Sequence, residues 1–147
     1  MRTVIVSNES LLYEVSRLLL GGNRVILKTK GYSMLPFILG GRDSVELQKK
    51  DTYNIGDIVL AEIVPQYYIL HRVISIEEDN ITLMGDGNWA ITERCDINDI
   101  CGCAISIVRK GKTIHCNSRS ELCKVYLWQK LLPFRRCLLA IYKRIII

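Results

Sequence analysis

The sequence predicts a mainly β protein, an antiparallel sheet or barrel with a short N-terminal helix and a basic, amphipathic helical tail. Between residues 24 and 116, apolar residues fall in short β-rich runs separated by Gly, Asp, Pro and Asn, with no helical pattern between them. Many short strands without interleaved helices are typical of antiparallel all-β folds. On both sides of this region, the apolar residues follow helical spacing instead.

The N-terminal helix is predicted over Glu9–Leu20. Ser7 or Asn8 is suited to cap its first turn, and Gly21-Gly22 is suited to end it. Its apolar residues fall on one helical face, and they are Leu11, Leu12, Val15, Leu18 and Leu19. We therefore expect this helix to cover part of the sheet.

Seven β-rich runs follow and are predicted to be strands. They are Arg24–Lys28, Ser44–Gln48, Asp57–Ile63, Tyr67–Ile76, Asn80–Met84, Ile100–Arg109 and Thr113–Cys116. Lys110-Gly111-Lys112 joins the last two, which predicts a hairpin at this point.

The helical pattern resumes near Ser118, and Pro133 is expected to break or kink the helix before a second piece over Arg135–Ile147. We therefore divide the chain into a β domain over 1–117 and a helical tail over 118–147.

The tail carries the whole surplus of positive charge. From Leu122 onward there are six basic and no acidic residues, whereas the rest of the chain holds 14 basic and 15 acidic residues. A basic apolar tail favours a membrane surface or a partner protein over nucleic acid, which binds to charge on a folded face. The alternative is that the tail packs back on the β domain, with its Lys and Arg side chains lying over apolar surface.

Composition excludes several classes of protein. With 147 residues, 49% of them hydrophobic and 24% charged, the chain fits one folded domain rather than a disordered segment. No apolar run approaches the length of a membrane-spanning helix, and no secretory signal peptide is visible. We therefore expect a cytoplasmic protein, with peripheral contact to the membrane as an option, and reduced thiols for its six cysteines. We expect no cofactor and no metal, since Cys101-Gly-Cys103 lacks the usual zinc spacing.

Three short motifs carry the candidate chemistry. They are Gly31-Tyr-Ser33-Met-Leu-Pro36, His71-Arg-Val-Ile74 and Gly85-Asp86-Gly-Asn88. A serine becomes a nucleophile when a base lies within hydrogen-bond reach, and imidazole is a suitable base near neutral pH. Taken singly, Ser33 reads as a turn serine and His71 as a core histidine, so the hypothesis depends on the three motifs together.

Together these motifs resemble the type I signal peptidase family, in the branch found in archaea, endospore formers and the endoplasmic reticulum. Ser33-Met-Leu-Pro36 is similar to the family's Ser-Met-x-Pro motif, and His71-Arg-Val-Ile74 is similar to the segment that carries its base. Gly56-Asp-Ile-Val59 and Gly85-Asp86 match further Gly-Asp segments of the family. The resemblance spans Val25 to Val108 and implies the fold that signal peptidases share with self-cleaving repressors.

The resemblance implies roles for single residues. Ser33 would be the nucleophile and His71 the general base. Gly31 stands where the family often has a serine that donates to the oxyanion, so the backbone N–H of Ser33 is expected to serve instead. An acidic residue would orient His71; Asp86 is preferred, Glu93 is the alternative, and a plain dyad is the third option.

These roles predict a serine endopeptidase that cleaves a leader or signal peptide from a precursor through an acyl-enzyme. The alternative is a non-catalytic binding module of the same fold, which docks a partner or a membrane surface through its basic tail. A DNA-binding repressor is disfavoured, because about thirty residues with one helix precede Ser33, too few for a helix-turn-helix domain. No membrane span precedes Ser33 either, which favours a cytoplasmic peptidase over a signal peptidase anchored in the membrane.

Overall fold

The runs predicted to be strands form one sheet in the computed structural model, which describes residues 2–5 and 9–146. The strands are β1 (Arg2–Ile5), β2 (Val25–Lys28), β3 (Asp43–Gln48), β4 (Ile58–Val64), β5 (Tyr67–Glu77), β6 (Asn80–Met84), β7 (Glu93–Asp96), β8 (Ile100–Arg109) and β9 (Lys112–His115). The helices are α1 (Glu9–Leu20), α2 (Arg119–Lys130) and α3 (Arg135–Ile146). The mainly β class with flanking helices is thus confirmed.

Several boundaries agree with the sequence prediction and two strands were missed. α1, β6 and β8 begin and end where their patterns predict. β1 and β7 were not predicted, and the predicted cap at Ser7 or Asn8 lies outside the described residues. Pro133 falls within a short 3-10 turn, Leu132–Phe134, that separates α2 from α3, as its missing N–H and fixed φ favour.

β8 is the central strand of the sheet. The strand order is β1-β2-β3-β8-β4-β5-β6-β7, with β9 also paired to β8. β1 and β2 run parallel, whereas the other neighbouring strands are antiparallel. β3 pairs with β8 over Cys103–Arg109, while β4 and β9 pair with its first and last residues respectively.

Two apolar clusters stabilise the sheet. One lies beneath α1, whose Val15 and Leu19 are fully buried against residues of β2 and β3 such as Leu27 and Val45. The other gathers buried side chains of β4, β5, β6 and β8, namely Val59, Ala61, Val73, Ile81, Leu83, Ile100 and Cys103. Burial of these side chains is the main favourable term in the folding free energy.

A buried carboxylate fixes the loop between β2 and β3. Asp43 is fully buried, and its side chain accepts hydrogen bonds from Arg42, Arg109 and the Leu39 N–H. Burial alone would raise the pKa of Asp43, but the hydrogen bonds from the two guanidinium groups outweigh it and lower the pKa below its usual value. The loop is therefore tied to β8 by a charged, hydrogen-bonded anchor.

α2 and α3 pack on the β domain through a third cluster. Trp128 of α2 and Leu139 of α3 are buried against Leu35, which lies two residues after Ser33 in the same motif. The inner side of the tail therefore packs back on the β domain, while its outer side stays exposed. Within the described residues, no helix has the length and hydropathy needed to cross a bilayer.

Candidate active site

Ser33 lies in the loop that connects β2 to β3. Two backbone hydrogen bonds of 3.0 Å close the base of this loop, from the Gly40 N–H to the Gly31 carbonyl and from the Gly41 N–H to the Thr29 carbonyl. Ser33 is exposed at the surface. The loop thus presents the serine to a ligand from solvent instead of burying it in the core.

His71 lies in β5 and binds Glu93 through one ring nitrogen. The Nδ1 atom of His71 is 2.7 Å from Oε1 of Glu93. Strand register explains this contact, since Val73 pairs with Leu83 on β6, and Leu83 pairs with Glu93 on β7. Paired residues project to one face and alternate residues along a strand share a face, so His71 and Glu93 lie on the same side. The other ring nitrogen of His71, Nε2, takes no part in this contact.

The turn after β6 brings the Ser33 loop to the Nε2 side of His71. A Cβ atom on Gly85 would lie 2.5 Å from the Ser33 carbonyl oxygen and 3.2 Å from His71 Nε2. A side chain at Gly85 would therefore force the loop and the imidazole apart. The Gly87 N–H also donates to the Ser33 carbonyl at 2.8 Å, which holds the loop in this place.

Ser33, His71 and Glu93 line one cavity of about 380 Å³. Much of the remaining wall is apolar and consists of Leu12, Leu27, Met34, Ile38, Leu60, Tyr68, Ile69 and Leu70. Among the described residues no hydrogen bond joins Ser33 to His71, so their direct contact stays a prediction. Hydrogen bonds of a catalytic group are often long before substrate binds.

Asp86 is not the carboxylate that binds His71, so the preference for it over Glu93 is wrong. Its two oxygens accept from Nε and Nη2 of Arg72 at 2.8 and 2.6 Å, and both side chains are almost fully buried. Arg72 follows His71 directly and therefore projects to the opposite face of β5. Arg72 also donates to the Gly56 carbonyl at 2.7 Å, so the pair ties the Gly85–Asn88 turn to the sheet.

The backbone N–H of Ser33 has no acceptor within the part of the chain that the structure describes. The expectation that this N–H donates to an oxyanion stays a prediction. Lys30 also lines the cavity and is exposed. His115, at the end of β9, lines a different cavity beside Cys116 and does not contribute to this site.

Two residues of the tail hold the turn beside the site, and no sequence pattern predicted them. Nε1 of Trp128 donates to the Asp86 carbonyl at 2.9 Å, and Nη1 of Arg135 donates to the Asn88 carbonyl at 3.0 Å. Arg135 is almost fully buried, its guanidinium lies 5.2 Å from the Trp128 ring centre, and burial lowers its pKa. Arginine is rarely buried in proteins, so the burial of Arg135 is unusual for a residue of this basic tail.

The described residues contain no cluster of three or more His, Cys, Asp or Glu side chains that could hold a metal ion. No protein-family model and no curated protein matches this chain.

Proposed function

We propose that this chain is a serine endopeptidase of the signal-peptidase type, which cleaves a leader or signal peptide from a precursor. The observation that carries the proposal is the cavity shared by Ser33, His71 and Glu93, with Glu93 on Nδ1 and the Ser33 loop on the Nε2 side. A nucleophile, a base and a carboxylate that orients the base form the unit needed for acyl transfer. The order of the motifs along the chain supports the same reaction.

Each residue of the site has a defined step. As Ser33 Oγ attacks the scissile carbonyl carbon, Nε2 of His71 takes the hydroxyl proton. The Ser33 N–H donates to the oxyanion that forms. The imidazolium then gives its proton to the leaving amine and the C–N bond breaks, which leaves an ester on Ser33. Water, deprotonated by His71, hydrolyses this ester and restores the hydroxyl.

Glu93 acts through His71 and not on the substrate. Its contact at 2.7 Å holds a proton on Nδ1, so that Nε2 is the unprotonated nitrogen that accepts the proton from Ser33. The same carboxylate stabilises the imidazolium while it carries the second proton.

An unpaired strand edge beside the cavity supports an extended peptide as substrate. β5 pairs with β4 along Tyr67–Arg72 on one edge, whereas β6 begins to pair with its other edge only at Arg72. In the described residues, no strand occupies that second edge along Tyr67–His71, and this segment lines the cavity. A peptide added there gains backbone hydrogen bonds and reaches the Ser33 loop.

The test is cleavage of candidate precursor peptides by the purified protein, with products identified by mass spectrometry. We expect Ser33→Ala and His71→Ala each to lower kcat/KM by at least about 10³-fold, with the double variant little worse than either single one. His115→Ala is the control and should keep full activity. Binding of the peptides without cleavage would favour the non-catalytic module, and equal losses in all three variants would refute the assignment of the base.

A further inference from the structure

The outward side of the helical tail is apolar and is not covered by the described part of the chain. On α3 and the turn before it, Phe134, Ile141 and Ile145 leave 61%, 57% and 77% of their surface exposed. Their spacing of seven and four residues places them on one side of the helix, opposite the buried Leu139 side. α2 adds three more exposed apolar residues, Leu122, Tyr126 and Leu127.

The exposed part of the tail is also basic. Lys124, Lys130, Arg136 and Arg144 are exposed, and no acidic residue occurs after Glu121. Glu121 itself is buried and binds Lys124 at 3.0 Å, so it does not offset the remaining cations. The exposed part of the tail therefore combines apolar side chains with cations and has no exposed acidic side chain.

Arg136 connects the tail to the segment that leads to the candidate active site. The Arg136 guanidinium lies 5.9 Å from the ring centre of Trp89, which is in the segment between β6 and β7. Trp89 and Ile91 leave 46% and 65% of their surface exposed, and the segment that carries them leads directly into Glu93. A ligand bound to the tail beside Arg136 would therefore also contact the segment before Glu93, the residue that binds His71.

We propose that the outer faces of α2 and α3, together with Trp89 and Ile91, form a lipid-binding face that docks on an anionic bilayer. A symmetric pairing with a second copy would bring basic residues against basic residues. An anionic bilayer accepts both parts of the face, because apolar side chains enter the acyl boundary while Lys and Arg reach the head groups. Exposed apolar surface of this extent with a polar rim is typical of an interaction site.

Docking in this way fixes the position of the cavity relative to the membrane. The Trp89–Ile91 segment would lie at the lipid surface, and the Ser33 cavity would open close to it. A precursor held at the bilayer would then meet the cavity without leaving the surface. The lipid-binding face itself does not depend on the proposed reaction, because its residues take no part in it.

Vesicle binding by the full chain tests the proposal. We expect sedimentation with vesicles of equal parts phosphatidylglycerol and phosphatidylcholine, weak binding to pure phosphatidylcholine, and loss of binding as salt is raised. The two tryptophans provide a spectroscopic readout, since Trp89 is exposed and Trp128 is buried. Brominated lipids should quench the emission of Trp89, and Trp89→Phe should remove most of that quenching.

Matched variants distinguish binding through the lipid-binding face from nonspecific binding through charge or exposed apolar residues. Arg136→Gln/Arg144→Gln should weaken binding at least about tenfold, whereas Lys49→Gln/Lys112→Gln, with the same loss of charge at other exposed positions, should not. Ile141→Gln should weaken it and Ile55→Gln, at a residue of similar exposure outside the helical tail, should not.

Three results would overturn the proposal: no binding to the anionic vesicles, equal effects of the test and control variants, or a stable dimer that forms through the face and excludes lipid. Ser33→Ala should bind vesicles as the unsubstituted chain does. Failure of the peptidase assay would therefore leave the lipid result intact, and the reverse also holds.

Discussion

Two adjacent residues of β5 bind two different carboxylates. His71 projects to the cavity and meets Glu93, while Arg72 projects to the opposite face and meets Asp86. The alternation of side chains along a strand thus places one carboxylate in the candidate site and the other in a buried ion pair on the opposite face. A one-residue shift in the pairing of β5 would exchange these roles.

Glu93→Gln should therefore lower activity, whereas Asp86→Asn should lower stability. Glu93→Gln keeps the shape of the site but no longer fixes the tautomer of His71. We expect kcat/KM to fall by about 10²–10⁴-fold with little change in the free energy of unfolding. Asp86→Asn leaves Arg72 buried without a counter-ion and should lower the free energy of unfolding by about 3–5 kcal/mol.

The measurement is a pair of assays on each variant, urea unfolding and peptide cleavage across pH. A Glu93→Gln protein that unfolds early but cleaves normally would contradict the role given to Glu93. A fully stable Asp86→Asn protein would contradict the structural role of Asp86.

The six cysteines should divide into two classes of reactivity. Burial raises the pKa of Cys95, Cys101 and Cys116 to about 11 and that of Cys103 to about 12, so these thiols stay protonated at pH 8. Cys95, Cys101 and Cys103 are also buried, and Cys116 is half-buried. Cys123 and Cys137 are exposed on the helical tail. Iodoacetamide at pH 8 should therefore label two thiols rapidly in the folded protein and all six in urea.

Peptide mapping identifies the labelled thiols. Cys123→Ser/Cys137→Ser is the matched variant and should show no rapid labelling. Rapid modification of Cys103 in the folded protein would mean that β8 is not buried as described.

At the scale of elements, α2 is a support for the candidate site. Its Trp128 packs against Leu35 in the Ser33 loop and donates to the Asp86 carbonyl in the turn that contacts His71. One helix thus contacts both the Ser33 loop and the turn beside His71. The division of the chain at residue 117 therefore marks a change of secondary structure, whereas packing continues across it.

Trp128→Phe tests this support, because phenylalanine keeps an aromatic ring but loses the N–H. Leaving the buried Asp86 carbonyl without its donor should lower the free energy of unfolding by about 1–3 kcal/mol, measured by urea unfolding. Tyr126→Phe is the control, since it also removes a polar group from α2 but at an exposed residue. Equal stability of the two variants would contradict a structural role for the Trp128 hydrogen bond.

The helices and strands show how much of the fold and of the candidate site could be predicted from the sequence. Periodicity located α1, β6 and β8 to the residue, because each has a clear run of apolar residues between turn signals. β7 was missed because its four residues, Glu93–Asp96, contain one buried side chain, Cys95, and three polar ones. With β7 unassigned, nothing placed Glu93 opposite Leu83, and Asp86 was preferred on motif alone. Ser33 and His71 could be proposed from the sequence because their motifs are local, and the structure places both in one cavity.

For the whole molecule, the anchor at Asp43 should make stability depend on pH in the acid range. The pKa of Asp43 lies below its ordinary value of 3.8 because Arg42 and Arg109 stabilise the carboxylate. A lowered pKa favours the folded state at any pH above the ordinary value, and this contribution is lost as the pH falls below it toward the lowered one. We therefore expect the free energy of unfolding to fall between pH 5 and 2.

Urea unfolding at several pH values measures this dependence. Asp43→Asn removes the titrating group, so that variant should be less stable at pH 6 and show a shallower fall with acid. Asp51→Asn, at an exposed residue, is the control and should retain the full slope. Parallel curves for Asp43→Asn and the unsubstituted protein would contradict the role of the anchor.

The position of β8 in the sheet has a consequence for synthesis of the chain. β3 and β4 are neighbours in sequence but are joined in the sheet only through β8, which leaves the ribosome some forty residues after β4. Until then the nascent chain holds two separate ladders with unpaired edges, because the pairings of β3 and β4 with β8 cannot form. α2 emerges later still and completes the packing behind Ser33. A nascent chain therefore carries Ser33 and His71 long before it can hold them in one cavity, so any peptidase activity begins only after β8 and α2 have left the ribosome.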